Sequence, residues 1–428
     1  MMKMDVSQSP PGVADVMNAV KPKIRWMFIL LIYVSLEGLS YLGLRVLETR
    51  FNLPYDPRVA ALSKEQKEKL TKFLASKKGE RNSPDPMVGW VPVAHVNAAG
   101  MRDDRDYETV APPGSIRISA FGDSFTYGAD VELHESWAKQ LTSRRPYLEV
   151  LNYGVGAYGL DQAYLRYRQV GTDYHPHIVF IGYMSENIAR SVNVFRAFYT
   201  RAYRNVIFTK PRFAVVDGKL DLLNNPLSSM EDYQRFLSHD REVLIEIGRN
   251  DFHYQNNYGR GPFDVLPSVR LAKMAWYAIN KNFLNPIFRF DGSYNEQSEA
   301  YDVTVRVFEA FYRNVLENHA LPIVVIFPDL HDQQRSRAGK PRRYAALLTD
   351  LHAKGYRVID AMDALQPYES QYAVEDLVMP TWGHYSPLGN SIMAAYLAES
   401  LERMGVTEPS LLENVIRAER ERLNVAAR

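Results

Sequence analysis

The chain is constrained most by a rhythm. Short apolar runs of strand length, Ser115–Phe121, Leu148–Tyr153, His177–Tyr183, Leu321–Phe327 and Tyr356–Ile359, recur along it, and amphipathic helical patterns stand between most of them. Those patterns cover His134–Arg144, Gln162–Val170, Glu299–His319 and Arg343–Ala353. Apolar strands separated by helices cannot pair as hairpins, so they predict an α/β fold with a parallel sheet covered on both faces. Ligands of such sheets bind outside the carboxyl ends of the strands.

The first run ends in chemistry. Ile116, Ile118 and Ala120 alternate with Arg117 and Ser119, and Phe121 leads into Gly122-Asp-Ser124, a turn that places a serine hydroxyl at the strand's carboxyl end. A serine nucleophile needs a base brought from elsewhere in the chain. His384 is the candidate: in Trp382-Gly-His-Tyr-Ser-Pro-Leu-Gly-Asn390, Ser386 and Pro387 read as the N-cap and first residue of a helix reaching about Met404. The amino end of that helix favours a neutral imidazole able to take a proton. Two more strand ends offer donors for an oxyanion. One is the glycine-dense turn Leu151-Asn-Tyr-Gly-Val-Gly-Ala-Tyr-Gly159, with Gly156 and Ala157 at its centre; the other ends in Ile181-Gly-Tyr-Met-Ser-Glu-Asn187, with an amide side chain on the same edge.

The amino end addresses the protein to a membrane. From Trp26 to Leu44 the sequence carries one formal charge, Glu37, and at ~1.5 Å per residue the run matches a hydrocarbon core of ~30 Å. It predicts an uncleaved single-pass anchor, since no small-x-small cleavage site follows. Lys21, Lys23 and Arg25 precede it and Arg45, Arg50 and Arg58 follow; the tighter basic cluster at the amino end orients that end to the cytoplasm and the large domain to the periplasm or exterior of an inner membrane. Glu37 implies a protonated carboxyl, a partner in the membrane or a position near the outer interface.

The expected organisation is a cytoplasmic tail (1–20), the anchor (21–45), a polar stalk (46–83) whose helical stretch Ser63–Ser76 reads as part of the stalk or as a surface helix, the catalytic domain (84–405) and a helical tail (406–428). Trp90–Asn97 reads as an edge strand interrupted by Pro92. About 190–298 breaks the strand–helix rhythm and reads as a cap over the active-site edge. It holds the run Asn193-Val-Phe-Arg-Ala-Phe-Tyr-Thr-Arg-Ala-Tyr203, a hairpin signal at Val216-Asp-Gly-Lys219 and the polar stretch His253–Arg260. The aromatic residues fit either sugar binding or the cap's own small core. Lys plus Arg number 51 against 50 Asp plus Glu, so no overall field recruits nucleic acid. The absence of cysteine excludes disulfides, thiol catalysis and thiolate metal sites.

With these residues in view, the chain resembles the SGNH, or GDSL-like, hydrolases over about 84–405. The resemblance rests on Gly122-Asp-Ser-Phe-Thr-Tyr-Gly128, Asn152-Tyr-Gly-Val-Gly-Ala-Tyr-Gly159, Asn187 and Gly383-His-Tyr-Ser-Pro-Leu-Gly389. It implies a three-layer, flavodoxin-like α/β/α sandwich with Ser124 as nucleophile and His384 as base and acid. The backbone N–H of Ser124, one from the second block and the Asn187 side chain would form the oxyanion hole. No metal or organic cofactor is implied. Three positions depart from the family. Thr381 stands where relatives carry the Asp that orients the histidine, which leaves a Ser-His dyad or a triad completed by a backbone carbonyl, Thr381, Glu375 or Asp376. Ala157 stands at the usual oxyanion glycine, with Gly156 beside it as the alternative. Ile188 follows Asn187 where many relatives have Asp. The expected activity is a serine esterase acting on an acylated glycan or lipid, O-acetyl groups of an envelope glycan foremost. The rivals are an O-acyltransferase working with a membrane acyltransferase partner, which Glu37 would dock, and a glycan-binding protein that keeps the fold without the activity.

Overall fold

A computed structural model describes residues 13–77, 79, 81–200 and 206–426; the first twelve residues of the expected tail, and Arg201, Ala202 and Tyr203 of the aromatic run, lie outside the described residues. Two compact units are present, one formed by the chain up to Arg58 with Asn257–Ile279, the other by Val59–Asn256 with Asn280–Arg428.

The larger unit is the expected sandwich. A hairpin of β1 (Asn82–Asp85) and β2 (Gly89–Pro92) precedes β3 (Ile116–Phe121), β4 (Leu148–Asn152) and β5 (Ile178–Tyr183). A second hairpin, β6 (Arg212–Val216) and β7 (Lys219–Leu223), lies in the insertion, and β8 (Leu321–Ile326) and β9 (Val358–Asp360) complete the set. Five of these form one parallel sheet in the order β4-β3-β5-β8-β9. Counting only sheet strands this is 2-1-3-4-5, so the chain reverses direction between β3 and β5 and opens a crevice there. One sheet face packs Phe121, Leu151, Val179, Ile181 and Val324 against helices Leu160–Val170, Glu299–Glu317 and Ala345–Ala353. The other packs Ile116, Ile118, Val150, Phe180 and Ile323 against Trp137–Arg144, Pro387–Arg403 and Pro409–Ala426. Arg117, which alternation alone would send to water, is fully buried. It stands opposite Glu149 in the β3–β4 register, and its Nε donates to Glu149 Oε2 at 2.7 Å, so the charge is neutralised where it lies.

Several expectations are corrected. The stretch 46–83 is no free stalk over its second half: helix Lys64–Ser76, capped by a Ser63–Gln66 capping box, buries Leu70 and Phe73 in the core. The strand expected at Trp90–Asn97 stops at Pro92, with one further backbone bond beyond it, from the N–H of Val93 to the Arg81 carbonyl at 2.8 Å. The carboxyl-terminal segment is not a tail, because Leu412 is buried in the second core and Tyr312 Oη donates to Glu419 Oε1 at 2.8 Å. The Val216–Lys219 signal is a hairpin as read, with Asp217 at φ 49° and Gly218 at φ 74°, the two positive values that a type I′ turn requires. Phe195 and Phe198 are buried, and they belong to the core that continues to the Phe121 and Ile181 face of the sheet.

In the smaller unit, helix Val13–Phe51 includes Ile24–Phe51, whose most apolar window has a mean hydropathy of 1.8 and is nearly all exposed. It is long and apolar enough to cross a membrane. Helix Pro267–Ile279 packs along it. Glu37 has found its partner there: the carboxylate accepts from the N–H of Ser268 at 3.0 Å and from its Oγ at 2.6 Å.

Candidate active site

The end of β3 sets the nucleophile. Asp123, in extended backbone, caps the four-residue helix Ser124–Tyr127 by accepting from the N–H of Phe125 at 2.9 Å, and Gly128 closes the helix in the left-handed region at φ 74°. So short a helix needs outside support. Trp137 Nε1 donates to the Thr126 carbonyl at 2.9 Å, and Asn152 Nδ2 donates to the same carbonyl at 2.9 Å. Thr126 is wedged between two strand ends: a Cβ added to Gly122 or Gly182 would come within 2.0 and 1.9 Å of its Oγ1. Both positions therefore demand glycine.

His384 arrives from the opposite side of the fold. Gly383 at φ 72° turns the chain, the N–H of Met379 donates to the His384 carbonyl at 2.6 Å, and Tyr385 Oη donates to the Pro328 carbonyl at 2.9 Å. Ser386 then caps Pro387–Arg403 as read from the sequence, accepting from Gly389 N–H. Asn390 ties this helix to the nucleophile's side of the sheet, since its Oδ1 accepts from the N–H of Trp137 at 3.0 Å. The result is a direct contact: Ser124 Oγ lies 2.8 Å from His384 Nε2.

The far nitrogen meets a carboxylate the sequence reading did not single out. His384 Nδ1 lies 2.7 Å from Asp130 Oδ2. With the carboxylate accepting from Nδ1–H, Nε2 keeps its lone pair and can accept the Ser124 hydroxyl proton. None of the expected orienting groups fills this place: Thr381 and Glu375 are exposed, and Asp376 caps its own short helix, its Oδ2 accepting from Ala373 N–H at 2.9 Å. Asp130 sits two residues past Gly128 in the left-handed region at φ 64°, which Asp tolerates better than most residues. Arg102 holds this loop. Its buried guanidinium donates to the carbonyls of Tyr127, Gly128 and Val131. A signal was present in hindsight, an acid six residues after the serine and just past a glycine, but only the turn geometry gives it meaning.

The expected oxyanion donors gather at the same edge. Asn187 is buried after β5 and donates through Nδ2 to Asp123 Oδ2 at 3.1 Å, which fixes the plane of its amide. Burial raises the Asp123 carboxyl above the usual range, against the opposing pull of Arg190 3.8 Å away. In the second block, Trp90 Nε1 donates to the Gly156 carbonyl at 3.3 Å and Arg196 Nη2 to the Ala157 carbonyl at 2.7 Å. Since the C=O and N–H of one peptide plane point in opposite directions, Trp90 turns the N–H of Ala157 away from itself. Ala157 holds φ 64°, a conformation glycine adopts freely and alanine at a cost of about 1–2 kcal/mol.

No protein-family model matches the sequence, and no curated protein matches it. Among solved structures the chain is similar to several at low identity. They include a lipolytic protein of the G-D-S-L family from Desulfitobacterium hafniense DCB-2 (14% identity, covering 67% of this chain and 100% of that one, TM-score 0.34). Another G-D-S-L family member, from Veillonella parvula DSM 2008, has 11% identity over 68% and 100% of the two chains, TM-score 0.32. An acetylxylan esterase from Geobacillus stearothermophilus has 10% identity over 67% and 95%, TM-score 0.35. At such scores the likeness carries no functional weight, and the chemistry has to be read from the side chains.

Proposed function

We propose that the chain is a membrane-anchored, extracytoplasmic serine esterase that removes acyl groups, O-acetyl in particular, from an envelope glycan. The observation that carries this reading is the continuous hydrogen-bonded line Asp130–His384–Ser124. Ser124 Oγ attacks the ester carbonyl as its proton passes to His384 Nε2; Asp130 balances the imidazolium; the N–H of Ser124, the N–H of Ala157 and the amide of Asn187 take up the oxyanion. The sugar alkoxide leaves with the proton from His384, and water, deprotonated by the same nitrogen, releases the acid and restores Ser124.

A non-catalytic protein was suggested by Thr381 at the place of an orienting acid, and Asp130 supplies that acid from another loop. A transferase would use the same Ser124 and His384 chemistry with a sugar hydroxyl in place of water, and its expected docking group, Glu37, is engaged by Ser268. The anchor reading places Ile24–Phe51 across the membrane with its amino end in the cytoplasm.

The test is made on the full chain in detergent with a fluorophosphonate probe and an aryl acetate. Labelling at Ser124, and loss of hydrolysis by a factor on the order of 10⁴ in Ser124→Ala, are expected. Hydrolysis undiminished in the variant, or folded protein that resists the probe, would sink the reading.

A further inference from the structure

Helix Pro267–Ile279 is polar on the wrong side for water. Its polar side chains are engaged within the unit: Ser268 is spent on Glu37, Lys273 Nζ donates to Asp264 Oδ1 at 2.5 Å and to the Gly259 carbonyl at 2.9 Å, and Arg270 Nη2 folds back on the Val265 carbonyl at 3.4 Å. The outward stripe at i, i+3, i+4 and i+7 is Ala272, Ala275, Trp276 and Ile279, with Trp276 61% and Ile279 44% exposed. Phe263 and Val265, just before the helix, are 67% and 77% exposed. A helix of a water-soluble surface shows the reverse pattern.

Its partner inside the unit says which solvent it faces. Glu37 lies within the apolar Ile24–Phe51 stretch, and Leu271 Cδ2 comes within 3.7 Å of where a Cβ on Gly43 would sit. A helix that packs on this stretch shares its depth. Glu37, too costly to leave bare in lipid, becomes the acceptor that satisfies the Ser268 N–H at the start of the second helix, a group that would otherwise be unpaired in the same medium.

We infer that Pro267–Ile279 is a second membrane-embedded element, lying beside the anchor in one half of the bilayer with Ala272, Trp276 and Ile279 in contact with acyl chains. The inference rests on the reading of Ile24–Phe51 as a span. The insertion between β5 and β8 thereby returns to the bilayer, and the protein holds the membrane at two places in its sequence.

The chain contains no cysteine, so single-cysteine variants can carry an environment-sensitive fluorophore without background. The full chain is reconstituted in phosphatidylcholine vesicles as Ala272→Cys, Ile279→Cys, Leu30→Cys on the anchor and Ala353→Cys on an exposed end of the larger unit. Acyl-chain spin-labelled lipid is expected to quench the labels at 272, 279 and 30 by a factor on the order of two, as for groups seated among acyl chains, and iodide to quench only the label at 353. Quenching of 30 by lipid but of 272 and 279 by iodide would overturn the inference and leave the span intact. Labels at 272 and 279 shielded from both quenchers would mean that a protein surface covers the stripe, and would also overturn it. Failure of lipid to quench 30 would remove the span and the inference together.

Discussion

Ser124 and His384 were readable one at a time because each carries a local signature, a strand-end turn for one and a helix cap for the other. Asp130 carries none. Its partner is 254 positions away, and its reach depends on two successive departures into the left-handed region, at Gly128 and at Asp130. The groups near the histidine in sequence, Thr381, Glu375 and Asp376, lie where the chain faces solvent or caps itself. The assignment has a direct check. Asp130→Asn, which can offer an N–H to Nδ1 and favour the wrong tautomer, should lower kcat by roughly 10²–10⁴ with KM little changed. Thr381→Ala and Glu375→Gln should leave both constants within about twofold. An aryl-ester assay of the three proteins decides it, and equal activity of Asp130→Asn and the parent chain would return the site to a dyad.

Among the elements, the nucleophile's helix is too short to hold itself and is held by its neighbours. Arg102 grips the carbonyls of the Tyr127–Val131 segment, and we expect it to act as a positioning residue through Asp130. Arg102→Ala should reduce kcat by about 10–100-fold while KM moves little, and Arg102→Lys, with a single point of donation in place of a fork, should restore only part of the loss. A fall confined to KM would contradict this role. The Thr126 wedge makes a second case. Gly182→Ala should destabilise the protein by about 1–3 kcal/mol through overpacking. Because Thr126 Oγ1 is buried without a hydrogen-bond partner among the described residues, Thr126→Ala should be cheap alone and should recover part of the loss in the double variant, measured by urea denaturation. Additive losses would show that the contact is not the cause.

At the scale of the whole molecule, the carboxyl edge of the sheet carries a buried acid that links folding to pH. Asp332 accepts from Ser185 Oγ at 2.6 Å; burial first, then the neighbouring Asp329 carboxylate, push its pKa up to about 8. An acid whose folded pKa lies above its unfolded value binds its proton more tightly when folded. Its contribution is complete below the ordinary Asp value near 4 and is lost as pH rises through about 8. The parent chain should therefore lose stability relative to Asp332→Asn between pH 5 and pH 8.5, read from urea midpoints in detergent. A difference between the two proteins that stays constant across that interval would contradict the shift.

The order of the sheet strands, the parallel sheet and the places of Ser124 and His384 were legible in the sequence, because periodicity, caps and strand ends are local properties that neighbouring residues report on one another. The partner of Glu37 and the place of helix Lys64–Ser76 were not, since each pairs segments far apart in the chain. The same holds for Arg117, whose burial follows from a register that puts Glu149 beside it, and above all for Asp130. Long-range contacts are chosen by the packing of the whole chain, and a charge finds its counter-charge only once the backbone has brought the two together.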